Sequence, residues 1–341
     1  MNKKKYKVTL VGCGAILPRH IESILSNSEF FEIHGFYDID QNLSKHFSKK
    51  YGVINYKTFE EILADKECNL VSILTPNSYH FEQSKNIILN GKSVLVEKPV
   101  STKSEEIMEL HRLSLEQNVQ AFCVLQVRLN QSVSILESVL RKKLLGNINS
   151  VSLIQRWQRP LEYFTGWRSI PSVGGGTLYE VGIHYLDVLQ KVFGKPEVVG
   201  SKTYHNKHKE VDIEDTIYSI VDWGNYGGTI EVTIASEPTN LECSISVQGS
   251  NGYLKLGGKA LNIVESYNFL TNGVKKEFEN ILKENQIDIE PNKYGSYQGS
   301  CPNHPTLYKN IIENPNQFEI LESYNAIKLI EEIYEKDGIK Y

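Results

Sequence analysis

Lys98 follows the apolar run Ser93-Val-Leu-Val96 in the tripeptide Glu97-Lys98-Pro99. A lysine at a desolvated strand end can lower the pKa of a bound alcohol or polarise a carbonyl. A second group lies in Gly174-Gly-Gly-Thr-Leu-Tyr-Glu180-Val-Gly-Ile-His184-Tyr-Leu-Asp187. Glu180 and His184 are four apart on an expected helix and share a face, and Asp187 is three beyond His184. A carboxylate one turn away fixes a histidine's tautomer and raises its basicity, which makes His184 a candidate general base. The plainer alternatives are a surface lysine paired with Glu97 and a buried histidine among Leu178, Ile183, Leu186 and Leu189.

A third group sits at the start of the chain, in Lys7-Val-Thr-Leu-Val-Gly12-Cys-Gly14-Ala15-Ile16-Leu17. A strand turning into a helix through Gly12 and Gly14 lets backbone approach a pyrophosphate at the positive end of the helix. Pro18 fits the first helical turn, where a missing N–H costs little. Asp38 follows the next apolar run. An acidic side chain there can accept hydrogen bonds from a ribose diol and repel a 2′-phosphate, which favours NAD over NADP. The competing role for Asp38 is a helix cap. Thr75-Pro76-Asn77 follows a third apolar run and falls, like Glu97-Lys98-Pro99, where an open parallel sheet binds ligands.

These residues need a scaffold that the patterning supplies. Apolar runs at Val8–Val11, Phe31–Tyr37, Leu70–Leu74, Ser93–Val96 and Ala121–Leu125 alternate with amphipathic stretches at Arg19–Asn27, Asn42–Tyr51, Tyr79–Leu89 and Ser104–Gln117. That order predicts βαβ units and a doubly wound parallel sheet. Beyond about residue 145, strands are expected at Ile148–Trp157, Val198–Tyr204, Thr216–Trp223, Gly228–Ile234, Cys243–Gln248 and Gly252–Leu256. Their short Gly- or Asn-bearing connections predict a mostly antiparallel sheet. Helices are expected at Thr177–Val192, Pro305–Ile312 and Glu322–Glu335, and the polar segment Asn262–Tyr297 as mostly loop. The expected class is α/β: a Rossmann dinucleotide-binding domain over residues 1–125, then an α+β domain over 126–341 with a mostly antiparallel open sheet for substrate binding and oligomerisation.

Composition bounds the function. With 37 Lys and Arg against 41 Asp and Glu, the net charge of −4 gives no bulk pull toward nucleic acid or anionic membrane. No segment approaches the roughly 20 apolar residues of a membrane span. The five cysteines (Cys13, Cys68, Cys123, Cys243 and Cys301) are odd in number, widely spaced and without a C-x-x-C. A disulfide framework or zinc knuckle is therefore not expected, no metal is assigned, and a reducing, cytoplasmic setting fits.

Together the motifs resemble the Gfo/Idh/MocA family, which includes glucose–fructose oxidoreductase and inositol dehydrogenase. The resemblance rests on Gly12-Cys-Gly14, Asp38, Thr75-Pro76-Asn77 with His80, Glu97-Lys98-Pro99, Gln126-Val-Arg128, Trp167-Arg168 and Gly175-Gly through Gly182-Ile-His184 to Asp187. It implies NAD(P)-dependent oxidation or reduction of a sugar or cyclitol, with Lys98 and His184 as the catalytic pair. The implied cofactor contacts are Gly12, Gly14, Ala15, Ile16, Asp38, Thr75, Pro76, Asn77, His80, Glu97, Lys98, Gln126, Trp167 and Arg168, and the cofactor is NAD. Leu17 replaces a small residue, Gln131 replaces a proline, and Glu180 stands where many members have Asp. Pro18-Arg19-His20 and Gly166-Trp167-Arg168 are similar to the branch that oxidises UDP-N-acetylglucosaminuronate at C3 in bacterial surface-polysaccharide synthesis. Arg19, Arg128, Arg156 and Arg159, with Glu180 and His184, are the expected substrate contacts, because arginines bind diphosphate or carboxylate bidentately. Arg19 has a second candidate role facing the cofactor pyrophosphate. The other readings are a sugar-phosphate, free-sugar or inositol dehydrogenase, or a non-catalytic NAD-binding sensor. The expected partners are a small sugar substrate and further copies of the chain, as a homodimer or homotetramer.

Overall fold

The computed structural model describes residues 5–164, 166–285 and 303–339. The chain divides into two compact units. One holds the residues through Leu125 together with Asn303–Ile327; the other starts at Gln126 and takes up the chain again at Lys328.

The first unit runs β1 (Tyr6–Val11), α1 (Leu17–Ser26), β2 (Phe31–Tyr37), α2 (Gln41–Tyr51), β3 (Ile54–Asn55), α3 (Phe59–Ala64), β4 (Leu70–Ile73), α4 (His80–Leu89), β5 (Ser93–Val96), α5 (Ser104–Glu116) and β6 (Ala121–Cys123). Its strands pair in the order β3-β2-β1-β4-β5-β6 and every pairing is parallel. All residues of β4 and β5 are buried, as expected for strands covered on both faces. The strand order reverses between β1 and β4, so the carboxyl ends of these two strands flank the switch point where such sheets bind ligands. α1 presents Leu17, His20, Ile21 and Ile24 to the interior at helical spacing. β3 and α3 went unpredicted because they are short, with two and six residues.

The second unit contains α6 (Gln131–Arg141), β7 (Ile148–Arg156), α7 (Pro171–Gly174), a π-helical turn (Leu178–Gly182), α8 (Ile183–Phe193), β8 (Glu197–Tyr204), β9 (Thr216–Asp222), β10 (Gly227–Thr233), β11 (Glu242–Gly249), β12 (Gly252–Gly257), β13 (Ile263–Phe269) and α9 (Asn272–Glu284). The sheet order is β13-β12-β11-β7-β10-β9-β8, antiparallel throughout except for β7 against β10. Alternating burial along β7 and β9 shows one face packed on the core and the other open.

The expected loop over Asn262–Tyr297 is corrected by β13 and α9. Phe269 and Phe278 pack at 5.2 Å between ring centroids, with Tyr267 4.5 Å from Phe278. A few aromatics thus close a segment whose remaining residues are polar, which hid its periodicity. The part of that segment after residue 285, and Cys301, lie outside the described residues. The chain closes with α10 (His304–Glu313), which packs on α1, and α11 (Tyr324–Lys336). No helix among the described residues is long and apolar enough to cross a membrane.

Candidate active site

In the first unit, Gly12 leaves β1 with φ +100, its N–H donating to Tyr37 O at 2.9 Å. A Cβ at this position would lie 2.9 Å from the backbone C and O of Leu74, so glycine is required both by the dihedral and by the neighbouring strand. Gly14 and Ala15 are exposed, and a Cβ on Gly14 would meet open space. Ile16 follows as the residue before α1. The result is an open backbone cradle at a helix N-terminus, which suits a pyrophosphate. Asp38 lies one residue beyond β2. Its Oδ2 accepts the Cys13 N–H at 2.6 Å and its Oδ1 the Asp40 N–H at 2.8 Å, which fixes the carboxylate against the glycine turn. The capping role considered for Asp38 is filled by Asp40, whose Oδ1 accepts from Asn42 N. Each Asp38 oxygen keeps a further lone pair for a ribose hydroxyl. The residues present therefore fit a dinucleotide.

Thr75 and Pro76 are half-buried past the end of β4, and Thr75 Oγ1 donates to Gln83. Asn77 is buried. His80 is buried with both ring nitrogens 2.7 Å from carbonyl oxygens, Nδ1 from Pro99 O and Nε2 from Thr75 O. Burial lowers its pKa, while those two carbonyls and Glu97 push it back up and Lys98 pushes it down.

Lys98 follows β5. From Lys92 to Ser101 every other residue is buried, and Lys98 alone is half-exposed. Its neighbour Glu97, expected among the cofactor contacts, is placed differently. Glu97 is buried, with Oε1 3.0 Å from His20 Nε2 and 3.5 Å from His304 Nε2, and Oε2 accepting the Lys98 N–H at 3.3 Å. Burial raises the Glu97 pKa, but the two imidazoles outweigh it and hold the carboxyl well below its usual range. His20 Nδ1 meets Tyr308 Oη at 2.8 Å and Ser72 Oγ at 3.2 Å. Burial raises the Tyr308 pKa and lowers that of His20. Tyr308 thus keeps its proton and donates to Nδ1, leaving Nε2–H of neutral His20 to donate to Glu97. Sequence reasoning missed His304 and Tyr308; their i,i+4 spacing on α10 was the available signal.

In the second unit the expected single helix over Thr177–Val192 begins instead as a π-helical turn, Leu178–Gly182, before α8. Glycines in left-handed conformation at Gly175 and Gly176 lead into it, and π-turns recur at functional sites. The buried carboxylate of Glu214 accepts the Thr177 N–H at 2.7 Å and the Tyr334 hydroxyl at 2.5 Å, and Tyr334 Oη in turn accepts the Leu178 N–H at 2.9 Å. Both residues went unnoticed in sequence because they are remote from the motif. Over residues 174–190 only Glu180 and His184 are half-buried, and the rest are buried. Glu180 Oε2 lies 3.3 Å from Tyr163 Oη and 3.4 Å from Arg168 Nε. The Arg168 guanidinium stacks over the Trp167 and Tyr163 rings at 4.4 and 4.9 Å.

The arginines expected to meet substrate have other partners. Arg128, buried, forms a bidentate pair with Asp187 at 2.7 and 2.6 Å, so Asp187 serves Arg128 rather than orienting His184. Arg156 is bidentate to Glu231 and also meets Glu242. Both guanidinia are neutralised by carboxylates that sequence spacing did not bring near them. Arg19 pairs with Glu22 one turn along α1. Arg159, also buried, stacks over Trp157 at 4.8 Å and has no carboxylate partner among the described residues. Gln126 is buried in a 3₁₀ turn, Gln126–Leu129.

A parallel Rossmann sheet with a glycine cradle and an acidic residue at the end of its second strand defines an NAD-binding domain, and the second unit adds a surfaced histidine on a glycine-led helix. Residues 6–125 match the family described as "Oxidoreductase family, NAD-binding Rossmann fold", and residues 138–337 match its "C-terminal alpha/beta domain". The chain belongs to the Gfo/Idh/MocA family and is an NAD-dependent sugar oxidoreductase acting on CH–OH groups. It is similar to scyllo-inositol 2-dehydrogenase (NADP(+)) IolW of Bacillus subtilis, with 26% identity over 82% of this chain and 80% of that protein. Among solved structures it is similar to the WlbA dehydrogenase of Chromobacterium violaceum in complex with NADH and UDP-GlcNAcA. That match has a TM-score of 0.86 and 26% identity over 99% of this chain and 95% of that one. The WlbA dehydrogenase of Bordetella pertussis, also with NADH and UDP-GlcNAcA, shares the fold at a TM-score of 0.86 and 24% identity, over 99% of this chain and 96% of that one.

Proposed function

We propose that the protein oxidises a secondary hydroxyl, C3 of a nucleotide-linked hexosaminuronate, with Lys98 and His184 as its catalytic residues. The observation that carries this reading is the near-complete match, at 26% identity, to a relative crystallised with UDP-GlcNAcA. It is supported by Lys98 and His184 surfacing from otherwise buried segments. The glycine turn, Ala15, Ile16, Asp38, Thr75, Pro76, Asn77, Gln126, Trp167 and Arg168 hold the cofactor. Bound NAD would supply the hydride acceptor, so that the C–H bond of the carbinol carbon can break. His184 takes the hydroxyl proton as that bond breaks, and the Lys98 ammonium stabilises the developing alkoxide. Glu180 holds Arg168 and Tyr163 in place and contacts the sugar. With Arg128 and Arg156 neutralised, Arg159 is the residue left to meet the anionic part of the substrate.

The test is NADH formation from NAD⁺ with UDP-GlcNAcA, neutral UDP-GlcNAc, a sugar phosphate and scyllo-inositol. One partly buried charge-assisted contact is worth about 1.5–3 kcal/mol, so kcat/KM for the acid should exceed that for its neutral parent by roughly 10- to 150-fold. Equal values would remove the carboxylate from recognition. A preference for the cyclitol would favour the second reading, an inositol dehydrogenase, which the likeness to IolW supports.

A further inference from the structure

The hydride chemistry leaves unused the buried polar group beneath Lys98. Ser72 from β4, His20 from α1, and His304 and Tyr308 from α10 gather around one carboxylate, Glu97, and none of the five is more than 8% exposed. The Lys98 N–H and the carbonyl of the next residue, Pro99, are both tied to buried ionisable side chains. The Lys98 N–H is held by Glu97 Oε2, and the Pro99 carbonyl by His80 Nδ1, whose ring also meets Thr75 O. Burying a carboxylate and three imidazoles is costly, and apolar side chains of similar volume would close the same space more cheaply. What apolar packing cannot supply is direction. Hydrogen bonds fix a strand end that a well-packed but featureless core would let slide. The group also joins the helix that follows the glycine turn to the strand that carries the lysine, so both are set by one network.

We propose that Glu97 is a positioning residue for Lys98, itself held by the hydrogen bond to His20 with the His304 ring packed beside it, and with His80 fixing the Pro99 carbonyl. The activity part of this inference rests on the assignment of Lys98 to catalysis; the positional part does not. The ring nitrogens and the carboxylate lie within 4.8 Å of one another, a spacing that a divalent ion could also exploit. The direct bond from His20 to Glu97 and the hydroxyl on its other nitrogen favour the hydrogen-bonded network.

The experiment combines amide hydrogen exchange with kinetics on the full chain, with and without NADH, for wild type, Glu97→Gln, Glu97→Ala and His304→Gln. Loss of the carboxylate should speed exchange at Lys98 about tenfold or more while the amides of β1 and β2 keep their protection. With UDP-GlcNAcA as substrate, kcat should fall about tenfold or more in Glu97→Ala with the NADH dissociation constant unchanged, since misplacing a catalytic group costs rate rather than cofactor affinity. Glu97→Gln, which still offers an oxygen to the Lys98 N–H, should lie between. A general rise in exchange across the sheet with normal kcat would mean that Glu97 only stabilises the fold and would overturn the proposal. So would unchanged exchange at Lys98, or stoichiometric zinc in the purified protein. If Glu97→Ala does not fold, His304→Gln keeps the carboxylate and should show the same changes in smaller measure; unchanged exchange at Lys98 there also overturns it. A fully active Lys98→Met would refute the catalytic assignment while the exchange result still decides the positioning.

Discussion

Lys98 and His184 are displayed alike and braced differently. Each is half-exposed on a segment that is otherwise almost wholly buried. In the first unit the bracing comes from side chains converging on one carboxylate at the end of a parallel strand. In the second it comes from the backbone. A π-turn opened by two glycines is pinned by Glu214 and Tyr334, and the helix after it is anchored through Asp187 to Arg128. The first arrangement depends on the protonation of histidines and a glutamate. The second depends on a helix start and a buried ion pair with a permanently charged arginine. The two halves should therefore respond differently to acid and to charge removal.

The largest effect is expected in the second unit. Arg128→Ala leaves Asp187 buried without its partner and should destabilise the protein by about 3–5 kcal/mol, measured by urea unfolding. A variant with near-wild-type stability but a raised substrate KM would return Arg128 to the substrate.

Asp38→Ala should lower the preference for NAD over NADP by about 1–3 kcal/mol, by removing a charged acceptor and an anionic repulsion. The check is the ratio of dissociation constants from fluorescence titration. An unchanged ratio would reduce Asp38 to bracing the glycine turn.

His20 and His80 make the Rossmann half sensitive to acid. His20 and His80 have lowered pKa values in the folded protein, so the unfolded chain binds more protons near their ordinary value. Stability should be level above about pH 7 and decline as pH falls below about 6.5, where unfolded histidines protonate. Glu97, with its lowered pKa, adds stability that is complete above about pH 4.5 and lost as pH falls through the folded value. His20→Gln should flatten the slope between pH 7 and 5 by up to about 1.4 kcal/mol per pH unit, one proton's worth. An identical slope in wild type and variant would show that the network does not titrate.

The smallest effect belongs to Arg156. Its side chain is 36% exposed against Glu231 and Glu242, and Arg156→Ala should cost no more than about 1 kcal/mol and leave kcat/KM unchanged. A large loss in kcat/KM would restore it to substrate recognition.

The same contrast explains what could be inferred before the structure was known. The Rossmann strands are apolar runs of four to seven residues, and the candidate site residues sit one or two positions past the strand ends. Gly12, Asp38, Thr75 and Lys98 could therefore be placed from local pattern alone. In the second unit the Glu180–His184 pair was visible from spacing, but the π-turn was not, because it depends on Glu214 and Tyr334 far along the chain. The arginines misled for a related reason. Arg128 and Arg156 have the composition of an anion site, and only the tertiary fold shows that Asp187, Glu231 and Glu242 already neutralise them. The family resemblance put Glu97 among the cofactor contacts, whereas its side chain, one residue past β5, turns inward to His20 and His304, which lie far from it in sequence.

The most direct measurement of the central claim, that Lys98 and His184 carry the chemistry, is the turnover of UDP-GlcNAcA by Lys98→Met and His184→Ala alongside NADH titrations of both variants. Each should lower kcat by roughly 10²–10⁴-fold, the usual contribution of a positioned acid–base group, with NADH bound as tightly as by wild type. Full activity in either variant, or loss of NADH binding in step with loss of turnover, would contradict the assignment.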